Sequence, residues 1–244
     1  MPARHLYFIM TNTWNRLALL IFAVLSLLVA GELQAGVVVG GTRFIFPADR
    51  ESISILLTNT SQESWLINSK INRPTRWAGG EASTVPASLL AAPPLILQPG
   101  TTGTLRLLRT ESDILPVDRE TLFELSIASV PSGKVENQSV KVAMRSVFKL
   151  FWRPEGLPGD PLEAYQQLRW TRNSQGVQLT NPTPYYINLI QLSVNGEALS
   201  NAGVVPPKSQ RQTSWCQAIA PCHVAWRAIN DYGGLSAKKE QNLP

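Results

Sequence analysis

Charged residues are scarce and scattered in this sequence. Aspartate, glutamate, lysine and arginine make up 16% of the 244 residues, and the formal net charge is +5. The lysines and arginines form no dense runs, which argues against a nucleic-acid-binding protein, although a basic surface of this size favours an acidic partner. The hydrophobic content of 44% is typical of a soluble globular protein with a core and not of a disordered chain.

Histidine and cysteine are also rare. The sequence holds two histidines, His5 and His223, and two cysteines, Cys216 and Cys222. A single histidine after the N-terminal segment argues against a zinc site. Two cysteines so close together favour one local disulfide in an oxidising compartment, and a metal-binding or redox pair is the alternative, although no CxxC is present.

Catalytic signatures are missing as well. The sequence contains no GxSxG, no HExxH and no glycine-rich phosphate loop. Carboxylates are present, but no pattern places two of them in one cleft. We therefore predict that the chain is not an enzyme and needs no cofactor or metal.

The longest apolar run is too short to span a membrane. It extends from Leu17 to Ala30, roughly 14 residues, whereas a spanning helix needs about 20. Arg4 and Arg16 precede the run, and a short polar stretch follows it and ends at Ala35. This layout predicts a secretory signal peptide over residues 1–35, with an uncleaved membrane anchor as the alternative. We expect no membrane insertion after cleavage.

The rest of the chain has a β pattern. Short alternating apolar runs end at glycine, proline, asparagine and serine, as in Ile53, Ile55 and Leu57 before Thr58-Asn59-Thr60. This spacing predicts an all-β protein built from antiparallel sandwiches. The proline- and glycine-rich stretch from Arg153 to Gly159 predicts a linker between domains at 36–153 and 154–244.

Several segments resemble the periplasmic chaperones of the chaperone–usher pathway, which assemble pili in Gram-negative bacteria. The matching motifs occur in the family's order along the chain after the signal peptide: Thr42-Arg43 with the strand TRFIF, Ala92-Pro93-Pro94 followed by Leu97-Gln98-Pro99-Gly100, Asp118-Arg119-Glu120-Thr121-Leu122-Phe123, Phe148-Lys149-Leu150-Phe151-Trp152-Arg153-Pro154, Asn181-Pro182-Thr183-Pro184-Tyr185-Tyr186 and Ile229-Asn230-Asp231-Tyr232-Gly233-Gly234. The short segment before Lys149 resembles the short-loop subfamily. The resemblance implies two immunoglobulin-like β-sandwich domains in a boomerang arrangement, with a basic cleft between them.

The resemblance also implies a binding site. An arginine and a lysine, here Arg43 and Lys149, anchor the C-terminal carboxylate of a pilus subunit in the cleft. The last strand of the first domain, here Ser139–Ser146, is lent to the subunit by donor-strand complementation. Its lending residues are Val140, Val142 and Met144, although these residues are also candidates for an ordinary sandwich core, and Arg43 and Lys149 for ordinary surface cations.

The remaining expectations follow from the same resemblance. Glu120, Arg153 and Asp231 match an ionic network between the domains. The implied function is a periplasmic chaperone that binds, folds and caps pilus subunits and delivers them to an outer-membrane usher. A secreted structural or adhesive β-sandwich subunit is the alternative, although such a subunit would be shorter and would have one incomplete domain.

Overall fold

The computed structural model describes residues 36–74, 90–91, 94–110, 115–132, 142–200, 202–217 and 221–244. Within these ranges the chain is almost entirely β-strand, with a short 3-10 turn at Ala164–Gln167. The all-β class predicted from the alternating pattern is therefore confirmed. The predicted signal peptide at 1–35 lies outside the described residues.

The first sandwich contains two facing sheets. One sheet has the order β1 (Val37–Val39), β3 (Ser52–Asn59), β7 (Thr102–Arg109) and β5 (Leu90–Ala91). The other has the order β2 (Arg43–Pro47), β9 (Met144–Arg153), β8 (Thr121–Pro131), β4 (Trp65–Asn72) and β6 (Leu95–Leu97). Strands β2 and β9 are parallel, and the other pairs are antiparallel.

Side-chain alternation places the core between these sheets. In β4 the residues Trp65, Ile67, Ser69 and Ile71 are buried while those between them are exposed, because successive side chains of a strand point to opposite faces. Buried side chains from both sheets form one cluster that includes Leu57, Leu107, Phe46 and Leu125. Full burial of each such side chain contributes about 1.5–3 kcal/mol.

The second sandwich repeats this arrangement. Its first sheet has the order β10 (Arg169–Asn173), β11 (Gly176–Asn181) and β15 (Ser209–Thr213). Its second sheet has the order β13 (Glu197–Ala198), β12 (Ile187–Val194), β16 (Cys222–Ile229) and β17 (Lys239–Leu243), and β14 (Val204–Val205) also pairs with β12. Asn195 and Gly196 connect β12 to β13 with positive φ angles of 50° and 84°, as a tight hairpin turn requires.

The second core is built around tryptophan and the predicted disulfide. The rings of Trp170 and Trp226 lie 5.1 Å apart, and both side chains are buried. Cys216 and Cys222 are joined in a disulfide whose two residues are buried in the same cluster. No free cysteine remains in the described part of the chain. The disulfide is therefore part of the second core.

The stretch predicted as a linker is tied to the second sandwich. Strand β9 ends at Arg153, and Gly156 and Gly159 then adopt positive φ angles of 73° and 86°. The Tyr185 hydroxyl donates hydrogen bonds to the carbonyl oxygens of Leu157 (3.2 Å) and Gly159 (3.1 Å). The chain between the sandwiches is therefore held at two points.

In the described residues, no helix is long and apolar enough to cross a membrane.

Candidate functional site

Arg43 and Lys149 are neighbours on adjacent strands. Parallel pairing of β2 with β9 places Arg43 directly beside Lys149. The residues that follow them, Phe44 and Leu150, pack against or within the first core, so alternation directs the two cationic side chains to the other face of the sheet. The structure therefore brings together the two cations that the sequence singled out.

Arg43 reaches across to the second sandwich. Its Nη1 donates hydrogen bonds to the carbonyl oxygens of Ile229 and Asn230, the second at 2.9 Å. The guanidinium also lies over the Phe151 ring, 4.9 Å from its centroid. The residue is 9% exposed, and its Nε has no hydrogen-bond partner among the described residues. Main-chain carbonyls thus fix the direction of this side chain and leave part of its donor capacity unused.

Burial makes both cations less basic than usual. Burial lowers the pKa of Arg43 to about 10, even though the carboxylates of Asp231 and Glu120 act in the opposite direction. Burial likewise lowers the pKa of Lys149 to about 8, and the positive charge of Arg43 lowers it further. Two partly dehydrated cations side by side repel each other, so an anion placed between them relieves an existing cost.

Glu124 lies next to Lys149 on the neighbouring strand β8 and was not identified from the sequence. The antiparallel pairing of β8 with β9 places Glu124 directly opposite Lys149, and the glutamate is 6% exposed. Directly opposite residues have Cβ atoms about 4.5–5.5 Å apart. The available signal was a carboxylate inside the apolar run from Leu122 to Ile127, a position where an acidic side chain is unusual unless it is paired.

A second cluster of charges joins the two sandwiches. Arg153 Nε donates to Glu120 Oε1 at 2.7 Å, and Arg153 Nη1 donates to Asp231 Oδ2 at 2.7 Å. The other oxygen of Glu120 accepts from the main-chain N–H of Tyr186 at 2.7 Å. Glu120 is 3% exposed, so its carboxylate is both buried and fully engaged. The three residues matched to the ionic network are therefore in direct contact.

The pKa values of this cluster reflect its pairing. Burial alone lowers the pKa of Arg153, but its bonds and attraction to Asp231 and Glu120 raise that pKa above the ordinary arginine value. Burial raises the pKa of Glu120, and the charge of Arg153 opposes that rise. The cluster pairs one cation with two carboxylates, so it offers no position that calls for an added anion.

A surface ion pair also crosses between the sandwiches. Lys208 Nζ lies 2.7 Å from Asp118 Oδ2, and Arg119 donates to both oxygens of the same carboxylate at 3.0 Å. Hydrogen bonds from Arg119 and then Lys208 lower the pKa of Asp118 well below its usual range. The next residue, Glu120, donates its N–H to the Pro184 carbonyl at 2.9 Å. No sequence pattern connects Lys208 with Asp118, because they lie 90 residues apart in the chain.

The loop that follows β16 approaches the start of β2. Asn230 Oδ1 accepts from the N–H groups of Tyr232 (3.1 Å) and Gly234 (2.8 Å) and so shapes the turn. Gly233 has a φ of 82°, and a Cβ there would lie 3.0 Å from the Thr42 hydroxyl. A residue without a side chain is therefore needed where this loop meets the first sandwich.

The first half of β9 has an open edge. Residues Met144–Trp152 pair with β8 on one side, whereas β2 pairs with β9 from Lys149 onward. Within the described ranges, no strand pairs with Met144–Phe148 on that second side. Met144 is 48% exposed and Val142 is 65% exposed, so neither side chain is a core residue.

The predicted donor strand is only partly described. Val140 lies outside the described residues, and Val142 precedes β9, which begins at Met144. The pairing of Ser129 with Met144 shows why the ladder ends there: two residues further along, Val142 would face Pro131, which has no N–H to donate. The strand expected over Ser139–Ser146 is therefore shorter in its described part.

Three apolar side chains form a separate exposed patch on the first sandwich. Leu66 of β4 pairs with Ile96 on one side and with Val130 on the other, and the three are 39%, 58% and 39% exposed. They lie on the sheet face opposite the core, as the alternation of β4 requires. We call this set the outer apolar row. It was not predicted from the sequence.

Both halves of the chain match models of one family. Residues 36–158 match the N-terminal domain of PapD, described as a pili and flagellar-assembly chaperone, and residues 163–240 match the C-terminal domain of the pili assembly chaperone PapD.

Curated relatives and a solved structure agree with these matches. The fimbrial chaperone YcbF of Escherichia coli K12 is 98% identical over 236 residues, which cover 96% of this chain and 100% of that protein. The chaperone protein FimC of the same organism is 33% identical over 223 residues, which cover 89% of this chain and 89% of that protein. The solved complex of the Salmonella enterica SafA pilin with the SafB chaperone contains a similar chain, with 27% identity, a TM-score of 0.71 and coverage of 88% of this chain and 99% of that one.

The matches span the two sandwiches and the junction described above, and the relatives are chaperones with no enzyme among those named here. The chain therefore belongs to the PapD family of pilus-assembly chaperones and is a non-enzymatic fimbrial chaperone with two PapD-type domains.

Proposed function

We propose that the chain binds pilus subunits by donor-strand complementation and anchors the C-terminal carboxylate of the subunit with Arg43 and Lys149. The observation that carries this proposal is the pair of partly dehydrated cations on adjacent strands at the end of an open strand edge. The proposal is consistent with the solved SafA–SafB complex, in which a related chaperone is bound to a pilin.

Carboxylate binding follows from the chemistry of the two cations. Charge-assisted hydrogen bonds to a carboxylate are roughly twice as strong as neutral ones. Arg43 still has its Nε without a hydrogen-bond partner, and its guanidinium is held in place by the Ile229 and Asn230 carbonyls. A preoriented donor loses little entropy on binding, which favours affinity.

The open edge of β9 supplies the second part of the interaction. A client strand that adds to Met144–Phe148 gains main-chain hydrogen bonds, and exposed side chains such as Met144 fill the gap in the client's core. The carboxylate anchor fixes the register, because a shift by one residue would turn every client side chain to the wrong face. Val140 and Val142 are proposed to continue this row of lending residues.

We further propose that Glu120, Arg153 and Asp231 set the angle between the two domains. Removing one partner of a buried charge cluster leaves an uncompensated charge, so the contact strongly resists separation. The Arg43 bonds to Ile229 and Asn230 depend on that same angle. The domain boundary near Arg153–Pro154 is part of the same proposal.

Delivery to an outer-membrane usher needs a surface that a bound subunit leaves open. The outer apolar row fits this requirement because Leu66, Ile96 and Val130 are exposed and lie on strands β4, β6 and β8, on the other side of β9 from its open edge.

We propose the periplasm as the location of the protein, reached through the signal peptide at 1–35. The Cys216–Cys222 disulfide supports an oxidising compartment.

The test is a pull-down of a subunit from the periplasm. The chain is co-expressed with the pilin-like proteins encoded beside it, as wild type and as Lys149→Ala and Arg43→Ala. Matched controls are Lys70→Ala, which removes an exposed lysine from the same sheet, and Arg106→Ala, which removes an exposed arginine from the other sheet.

We expect a soluble one-to-one complex with the wild type and both controls, and at least a tenfold loss with either cleft variant, since a hydrogen bond to a charged group contributes about 1.5–3 kcal/mol. Equal retention by all variants would show that the carboxylate anchor is wrong. If no pilin is retained by the wild type, subunit binding itself is contradicted.

A further inference from the structure

A small recess opens in the second sandwich beside the Arg43 contact. It has a cavity volume of about 20 Å³ and is lined by residues that include Leu162, Tyr186, Asn188, Ile229, Asn230 and Ser236. Ile229 and Asn230 are the residues whose carbonyl oxygens accept hydrogen bonds from Arg43. The recess, which we call the side recess, is therefore adjacent to the proposed carboxylate anchor.

Asn188 is the unusual residue of this recess. It is 3% exposed, and neither its Nδ2 nor its Oδ1 has a hydrogen-bond partner among the described residues. Buried amide groups are almost always paired, because burial without a partner is costly. An amide with both of its atoms unpaired is therefore a group that an added molecule would satisfy.

The orientation of Asn188 follows from the strand that carries it. Its neighbours in β12, Ile187 and Leu189, belong to the second core, so alternation directs Asn188 to the other face. On that face its cross-strand partners are Ile229 and Val204, and Val204 packs with Leu122 and Phe151 of the first sandwich. Asn188 therefore faces the junction where the client carboxylate is expected.

The lining of the recess selects the chemistry of its occupant. None of the residues found to line it is charged, so an ionised side chain would lack a counter-charge there. An asparagine side chain offers one acceptor and two donors, which another carboxamide matches with two hydrogen bonds.

We propose that the side recess binds a carboxamide side chain from the last residues of the client, with Asn188 as the specificity-determining partner. This inference rests on the proposed function, because it takes the carboxylate between Arg43 and Lys149 as the position of the client's end. Arg43 and Lys149 would hold any client, and Asn188 would distinguish among clients by their final side chains.

The test uses the exported, purified chain and two fluorescent synthetic peptides that alternate valine and serine. One peptide ends in asparagine and the other in leucine, which has nearly the same shape, and both have free carboxylates. For the wild type we expect about fivefold tighter binding of the asparagine-ended peptide, which corresponds to one to two neutral hydrogen bonds. In Asn188→Leu the preference should invert, so that the ratio of the two affinities falls at least about tenfold.

An unchanged ratio in Asn188→Leu would overturn the inference and would indicate that Asn188 is satisfied by buried water alone. If Asn188→Leu does not fold, Leu162→Trp decides the matter, because Leu162 is 37% exposed at the recess and can be enlarged without disturbing the core. We expect Leu162→Trp to abolish the preference, and a preserved preference would contradict the inference.

A second pair of peptides separates this inference from the anchor. Both sequences are also made with an amidated C-terminus, which removes the carboxylate. Lost binding of both amidated peptides supports the proposed anchor, whereas unchanged binding shows that the anchor is wrong while the asparagine-to-leucine ratio still reports on Asn188. If the wild type binds none of the peptides, both the anchor and the side recess are contradicted.

Discussion

Two arginines at the junction of the sandwiches have opposite electrostatic settings. Arg153 is paired with Glu120 and Asp231, and its pKa lies above the ordinary arginine value. Arg43 donates its hydrogen bonds to main-chain carbonyls, lies beside Lys149, and has its pKa lowered to about 10.

The comparison sets a structural contact beside the proposed binding site. The Arg153 cluster pairs one cation with two carboxylates through direct hydrogen bonds. In the Arg43–Lys149 pair two cations lie side by side, and burial makes both less basic than usual, a pattern that is common at functional sites. The two regions therefore predict responses of different size when a charge is removed.

The largest expected effect comes from breaking the structural contact. Glu120→Ala leaves Arg153 without its buried partner and leaves the N–H of Tyr186 without its acceptor. We expect a loss of about 3–5 kcal/mol in the free energy of unfolding, measured by urea denaturation. Glu155→Ala, which removes an exposed glutamate nearby, is the control. A loss below about 1 kcal/mol would contradict the structural role.

The next effect is on the pH dependence of client binding. Lys149 has a pKa of about 8 in the free protein, and a bound carboxylate raises that pKa because it favours the charged form. Below about pH 8 the lysine is charged with or without client. As the pH rises above that value, binding requires uptake of a proton, and affinity falls.

We expect about a tenfold weaker complex at about pH 9 than at about pH 7, measured by titration with a pilin or its C-terminal peptide. Lys149→Arg should remove most of this dependence, since arginine stays charged in this range. A wild-type affinity that does not change with pH would argue against a role for Lys149 in holding the carboxylate.

The smallest effect is a change in stability that depends on pH. Lys149→Met removes a partly buried cation beside Arg43 but also leaves the buried Glu124 without the cation opposite it. These two effects oppose each other, so we expect a net change below about 1 kcal/mol near neutral pH. The folded pKa lies below the unfolded value of 10.5, so the cost is present below about pH 8 and disappears as the pH rises toward 10.5.

The stability of Lys149→Met relative to the wild type should therefore fall as the pH rises from about 8 toward 10.5. Thermal unfolding at several pH values measures this difference, with Lys70→Met as the matched control. A relative stability that does not change with pH would show that the charge of Lys149 carries no burial cost in the folded protein.

The alternating pattern of apolar residues was sufficient to predict the fold class, but it did not identify every residue of the candidate site. Alternating apolar residues in segments such as Ile53–Leu57 identified strands, because successive side chains of a strand point to opposite faces of the sheet. Arg43 and Lys149 were identified through family motifs, and the parallel register of β2 and β9 explains why they meet.

Other residues depend on tertiary pairing that the sequence does not display. Glu124 acquires its position from the register of β8 with β9, and Lys208 meets Asp118 only after two domains fold. Asn188 looks like an ordinary strand residue until its face is known. The strand expected over Ser139–Ser146 is described only in part, and its described part begins at Met144, where the pairing with β8 ends before Pro131.

The Arg43 bonds also make the proposed client site depend on both sandwiches. Arg43 lies in β2 of the first sandwich, but the carbonyl oxygens that orient its side chain belong to Ile229 and Asn230 of the second. A copy whose second sandwich has not folded would carry both cations and yet hold the arginine in no defined direction. Under the proposed function, such a half-folded chaperone would be a poor competitor for subunits.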